Sequence, residues 1–138
     1  MRIERKHLLI AAPAILLTVL LSNLWTNSRL ESSGQLLYKQ HCGQCHGSEG
    51  EGLAGLYPPL ADADWVMEHH QRIPCVMKFG LGDSIQVNGQ WFHQPMMPVE
   101  ELSEIERLNI LNFVLNDLNS VGRFLTVKEL QEWERTCY

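Results

Sequence analysis

Apolar residues dominate the start of the chain. Residues 8–25 read LLIAAPAILLTVLLSNLW, which corresponds to roughly 27 Å of helix at about 1.5 Å per residue. This length nearly spans a bilayer core of about 30 Å. Arg2, Arg5 and Lys6 precede the run, which favours a cytoplasmic N-terminus and an exported remainder. Residues 1–28 therefore predict a transmembrane anchor, and the alternative is a cleaved signal peptide, whose apolar region is typically about 7–15 residues long.

After a polar linker at residues 29–33, the pattern predicts a mainly helical body over residues 34–138. In the strongest helical pattern, over about 102–118, apolar residues recur every three or four positions, and Ser103 with Glu106 forms a capping box. The body is predicted to be all-α, with about five short helices and one small β-hairpin around an Asn-Gly turn. The other predicted helices are at Gly34–His41, about Asp64–Gln71 and about Pro74–Phe79, with a last one that begins at a capping box of Thr126 and Glu129 and runs to about Thr136. The predicted strands are Ser84–Val87 and Gln90–Phe92.

Composition and charge narrow the class of protein. Hydrophobic residues make up 45% of the chain and charged residues 20%, which is typical of a globular protein. The net charge is −5, and residues 29–138 alone carry eight basic and fifteen acidic side chains. Because an acidic surface repels phosphate backbones, nucleic acid is not an expected partner.

The segment Cys42-Gly43-Gln44-Cys45-His46 has the spacing C-x-x-C-H, which is the attachment sequence of c-type haem. Two thiols on one helical turn can each bond one of the two haem vinyl groups, and the next imidazole is then placed at the iron. A redox dithiol of the thioredoxin kind would require a βαβ unit, which the predicted elements lack. A zinc site would require a second pair of ligands at similar spacing, and Cys75 and Cys137 do not supply one. The sequence therefore favours one covalent haem c with iron, held by Cys42 and Cys45 and ligated by His46.

Two further segments follow this motif, Pro58-Pro59-Leu60 and Gln94-Pro95-Met96-Met97-Pro98. With them the chain resembles the class I c-type cytochromes, which are small monohaem electron carriers, here of the membrane-anchored bacterial type. The resemblance covers residues 34 to about 118. It implies the class I cytochrome c fold, in which Gly34 and Tyr38 of the first helix meet Phe113 of a later one.

The resemblance also implies roles for residues on both sides of the haem. The carbonyl of Pro58 accepts a hydrogen bond from Nδ1 of His46, and Leu60 packs against the haem. Met97, which directly precedes a proline, is the sixth iron ligand. Met96 competes with it for the iron, and His93 is the ligand if neither methionine binds.

Cys75 and Cys137 are left over from the haem motif. In an exported protein they are predicted to form a disulfide between the C-terminal helix and the helix that begins near Pro74. Two free thiols or an intermolecular bridge are the alternatives.

These features predict an electron carrier, and not an enzyme, in a bacterial respiratory or periplasmic electron-transport chain. It is expected in the inner membrane as a single-pass protein, with the haem domain in the periplasm. Its acidic body predicts redox partners with basic docking surfaces. The alternatives are a haem subunit of a larger oxidoreductase complex, and a small haem enzyme or sensor with an exchangeable sixth ligand.

Overall fold

The computed structural model describes residues 32–99 and 101–137, so the predicted anchor at residues 1–28 lies outside the described residues. Within the described part, no helix has both the length and the apolar character needed to cross a bilayer. The described elements are α1 (Ser33–His41), α2 (Gly43–His46), α3 (Asp64–His69), a 3₁₀ turn (His70–Arg72), α4 (Ile73–Phe79), β1 (Ile85–Val87), β2 (Gln90–Phe92), α5 (Glu104–Asn112), a π-helical turn (Phe113–Asp117) and α6 (Val127–Glu134). The predicted mainly helical body with one hairpin is confirmed.

Helix α1 crosses α5 at Gly34, a residue without a side chain. The Ser32 hydroxyl caps α1 by accepting a hydrogen bond from the backbone N–H of Gln35. Gly34, the second residue of α1, lies so close to the backbone carbonyl of Asn109 that a Cβ there would overlap it. Next to this contact the rings of Tyr38 and Phe113 pack with their centroids 5.2 Å apart. The predicted meeting of these residues is confirmed.

Helix α5 begins at the predicted capping box, in which both Ser103–Glu106 hydrogen bonds are present. The prediction of one regular helix to residue 118 is wrong in its last part, because Phe113–Asp117 form a π-helical turn. There the N–H of Leu118 donates to the carbonyl of Phe113, five residues back, at 3.2 Å. The side-chain pattern does not distinguish such a turn, because apolar residues still recur at spacings of three and four.

Two residues after this turn lies Asn119, whose buried side-chain amide joins three parts of the backbone. Its Oδ1 accepts from the N–H of Ala63 at 3.0 Å, and its Nδ2 donates to the carbonyls of Leu60 at 2.7 Å and Val114 at 2.8 Å. Asn119 therefore ties the end of α5 and its π-helical turn to the loop that carries Leu60.

The hairpin pairs Ile85 with Phe92 and Val87 with Gln90 around an Asn-Gly turn, as predicted. Asn88 and Gly89 both have positive φ, 50° and 80°, which a type I′ turn requires. Side chains alternate across the strands, so Val87 and Phe92 are buried while Trp91 is exposed. One face of the hairpin thus adds apolar surface to the core.

Helix α6 is held against α4 by the predicted disulfide. Cys75 and Cys137 are bonded, with their Cα atoms 5.3 Å apart and a separation of 62 positions in the chain. In the chain-entropy model a crosslink of this span stabilises the fold by roughly 4 kcal/mol. The predicted capping box of Thr126 and Glu129 at the start of α6 is also confirmed.

Candidate functional site

The C-x-x-C-H motif forms one tight helical turn at the end of α1. The carbonyl of Cys42 accepts hydrogen bonds from the N–H of Cys45 at 3.1 Å and from that of His46 at 2.9 Å. The Cys42 thiol is mostly buried, which raises its pKa to about 12, and the Cys45 thiol beside it adds to the shift. Both cysteines lie outside the disulfide, and both line the large cavity described below.

His46 is buried and held in one tautomer. Its Nδ1 lies 2.9 Å from the carbonyl oxygen of Pro58. Because a carbonyl only accepts, Nδ1 carries the proton and Nε2 carries the lone pair. Burial lowers the pKa of His46, although the Pro58 carbonyl acts in the opposite direction. A neutral imidazole with a free Nε2 is the form that binds a metal.

The loop between His46 and Leu60 brings the Pro58 carbonyl to the imidazole. Gly52 has a φ of +70°, and a Cβ there would come within 2.8 Å of the backbone of Tyr57, Pro58 and Pro59. The N–H of Gly52 donates to the His46 carbonyl at 2.7 Å, which closes the loop onto the helical turn. A glycine is therefore needed for the approach of Pro58 to the histidine.

The methionine segment, residues 94–98, lines the same cavity as His46. Backbone hydrogen bonds attach it to α4 and to the chain that follows α4. Met96 and Leu81 exchange two backbone hydrogen bonds, each 2.9 Å long. The N–H of Val99 donates to the carbonyl of Met77 at 2.8 Å. Met97 lies between these attachments with 76% of its surface exposed, whereas Met96 is half-buried.

A mostly apolar cavity of about 520 Å³ lies between the two sides. Its volume is within the ~300–1,000 Å³ typical of pockets that enclose a ligand. All six residues predicted for the site line it: Cys42, Cys45, His46, Pro58, Leu60 and Met97. Met96 lines it too, whereas His93 does not; its Nδ1 lies 2.8 Å from the Ser84 hydroxyl.

The family model for cytochrome c matches residues 32–117. The chain belongs to the cytochrome c family. It is also similar to the cytochrome c-552 of Thermus thermophilus, with 30% identity over 88 residues. The match covers 61% of this chain and 66% of that relative. A second cytochrome c-552, from a further strain of Thermus thermophilus, is also 30% identical, and the match covers 59% of its length. The chain thus spans slightly less than two thirds of these relatives.

Membership of the cytochrome c family implies a covalently attached haem c with its iron. The residues of this chain fit that group. Two thiols, a neutral buried imidazole and an apolar wall meet at one cavity, and the cavity reaches both methionines. The bond from Pro58 orients the imidazole and increases its basicity toward iron.

Sequence reasoning missed several residues that build this cytochrome c site. Met77 lies in a helical pattern that is typical of core filler, yet it lines the cavity and its carbonyl holds the methionine segment. Strand alternation predicts that one of Trp91 and Phe92 faces the haem, and the structure shows that it is Phe92 that lines the cavity. Asn119 holds the Leu60 loop, and no local pattern in the sequence distinguishes it from any other asparagine at a helix end.

Proposed function

We propose that this cytochrome c transfers single electrons with an iron ligated by His46 and Met97, in a bacterial respiratory or periplasmic electron-transport chain. The observation that carries the proposal is that the C-x-x-C-H turn and the methionine segment line one apolar cavity. When bound, the haem iron supplies a one-electron couple, and a thioether as its sixth ligand raises the potential relative to a second histidine.

The chain's own residues prepare both ligand positions. Pro58 fixes the tautomer of His46, so Nε2 is available without loss of a proton at neutral pH. The apolar lining limits the solvation of the ferric charge, which acts in the same direction as the thioether. Met97 is favoured over Met96 because it directly precedes Pro98, and because the backbone is attached on both sides of it.

Absorption spectra of the ferric protein test the ligation. A far-red sulfur-to-iron band is expected in the unmodified protein and in Met96→Ala, and it should disappear in Met97→Ala. Loss of the band only in Met96→Ala would assign the iron to the other methionine. A high-spin ferric spectrum in the unmodified protein would overturn the proposal and favour a haem enzyme or sensor.

We also infer that residues 1–28 anchor the protein in the inner membrane as a single span, with residues 29–33 as the linker and the domain at 34–138 in the periplasm. The apolar run behind three basic residues supports this placement, as does a disulfide in the body. Full-length protein should resist extraction from membranes by alkali and keep its N-terminal segment. A mature chain that starts beyond residue 28 would indicate a cleaved signal peptide.

A further inference from the structure

The C-terminal helix α6 is bonded to two other helices. Besides the Cys75–Cys137 disulfide to α4, the carboxylate of Glu134 lies 3.3 Å from Nζ of Lys78 on α4. The same carboxylate lies 2.8 Å from Nε of Arg107 on α5. The side chains of Glu134 and Arg107 are only 11% and 12% exposed, so water screens this pair less than a surface pair. Helix α6 is therefore fixed to α4 and α5 through Glu134 in its last turn and through Cys137, three residues after it.

Helix α4 and the residues after it hold the methionine segment in turn. The Met77 carbonyl near the end of α4 accepts from Val99, and Leu81 exchanges two hydrogen bonds with Met96. Gly80 joins these contacts with a φ of +77°, and a Cβ there would overlap the Met96 carbonyl. The position of α4 thus determines where the backbone on either side of Met97 lies.

The Met97 side chain contributes little to its own placement. With 76% of its surface exposed, it is located mainly by the backbone attachments that flank it. These attachments are made to α4 and to the residues after it, and α6 is crosslinked to α4. A chain of short contacts therefore connects Cys137 and Glu134 to the proposed sixth ligand.

We propose that the disulfide-tied helix α6 is a brace that, through α4, keeps the methionine segment at the iron. Cys75, Cys137 and Glu134 are then positioning residues for the sixth ligand. The inference rests on the proposed ligation by Met97. The physical basis is the fraction of molecules in which Met97 lies in its ligating position. When α4 is free to move, that fraction falls, and an external ligand then competes more successfully for the iron.

The test uses the full-length, haem-loaded ferric protein and imidazole as the competing ligand. The double variant Cys75→Ser/Cys137→Ser removes the disulfide from the brace, and Glu134→Gln weakens its ion pairs to Lys78 and Arg107. Arg123→Gln is the matched control, because it removes an exposed ion pair to Glu129 at the other end of α6, away from α4. The far-red band and the apparent Kd of imidazole are measured for each protein.

We expect imidazole to bind about tenfold more tightly to the double variant, the effect of losing roughly one backbone hydrogen bond from the segment. Glu134→Gln should show a smaller change in the same direction, and Arg123→Gln should bind imidazole as the unmodified protein does. If the double variant does not yield a folded haem protein, Glu134→Gln decides by the same comparison.

The possible outcomes distinguish a failure of the proposed brace from a failure of the proposed methionine ligation. Absence of the far-red band in the unmodified protein would reject methionine ligation, and the brace with it. A band in the unmodified protein together with an unchanged imidazole Kd in the double variant, or in Glu134→Gln where that variant decides, would reject the brace alone. An equal change in Arg123→Gln would show that the effect is general destabilisation, and would also reject the brace.

Discussion

Replacing Gly34 by alanine adds one methyl group to the crossing of α1 and α5. This group would overlap the backbone carbonyl of Asn109 and lie 3.0 Å from Cβ of Phe113. Neither neighbour can swing away, because the Asn109 carbonyl accepts a hydrogen bond from the N–H of Phe113 and the Phe113 ring packs on Tyr38. The two helices must therefore move apart.

The expected cost follows from two opposing effects. Overpacking a filled contact costs about 1–3 kcal/mol, and the rigid neighbours here favour the upper part of that range. The higher helix propensity of alanine than of glycine raises the free energy of unfolding by up to about 1 kcal/mol. We therefore expect Gly34→Ala to lower the free energy of unfolding by about 2 kcal/mol.

Gly43→Ala provides a matched control in the neighbouring helix. A Cβ at Gly43 would lie 3.7 Å from the Tyr38 carbonyl oxygen and 3.8 Å from Cα of Ser48, which are ordinary contacts. The same substitution should therefore be neutral or stabilise by about 0.4–1 kcal/mol. The two variants should differ by about 2–3 kcal/mol, or roughly 10 °C in Tm for a domain of this size.

Guanidinium chloride unfolding of the haem-loaded proteins, followed by tryptophan fluorescence, measures the difference. The slope of the transition should stay constant, so that a change in midpoint reports stability. Equal midpoints for Gly34→Ala and Gly43→Ala would refute the close approach of α1 to α5.

Three further predictions concern other parts of the molecule. Asn119→Ala should lower the free energy of unfolding by about 3 kcal/mol, because buried backbone groups lose their hydrogen-bond partners. Asn116→Ala removes a less buried amide and should lower the same free energy by less than about 1 kcal/mol, and equal losses in the two variants would contradict this. The hydrogen bonds from Arg123 and then Thr126 lower the pKa of Glu129 to about 2 from an ordinary 4.5, so the stability that its charge contributes is complete above pH 4.5 and is lost as the pH falls toward 2. The Tm gap between the unmodified protein and Glu129→Gln should therefore close over that range, and a constant gap would contradict the assignment. Because residues 29–138 are acidic, electron transfer to a cationic redox protein should slow as salt is added, and a flat rate would exclude steering by this charge.

Features that depend on near neighbours in the chain could be predicted from the sequence. The capping boxes at Ser103 and Thr126 and the Asn88-Gly89 turn are each set by contacts within a few residues, and all three are present. The π-helical turn at residues 113–117 could not be predicted, because it shares its side-chain spacing with a regular helix. The exposed Ile105, part of the same apolar repeat as buried Leu111, shows that periodicity does not say where the packing ends.

The site likewise contains some features that could be predicted from the sequence and others that could not. The spacing of Cys42, Cys45 and His46 specifies its own chemistry, since one helical turn brings the three side chains together wherever it lies. The contact between Pro58 and His46 was expected only through the resemblance, and it depends on the tight loop at Gly52. The attachment of Met96 to Leu81 was not expected at all.

The sequence by itself therefore determined the covalent haem motif, the mainly helical body and the family, because these reside in local spacing and in the order of segments. Only the tertiary structure decided how the methionine segment is held, which amide ties the Leu60 loop, and how α6 is fixed to α4 and α5. Each of these contacts joins residues far apart in the chain, such as Glu134 and Lys78, or Asn119 and Leu60. Their formation depends on how all the helices cross, and that geometry is not present in the pattern of any one segment.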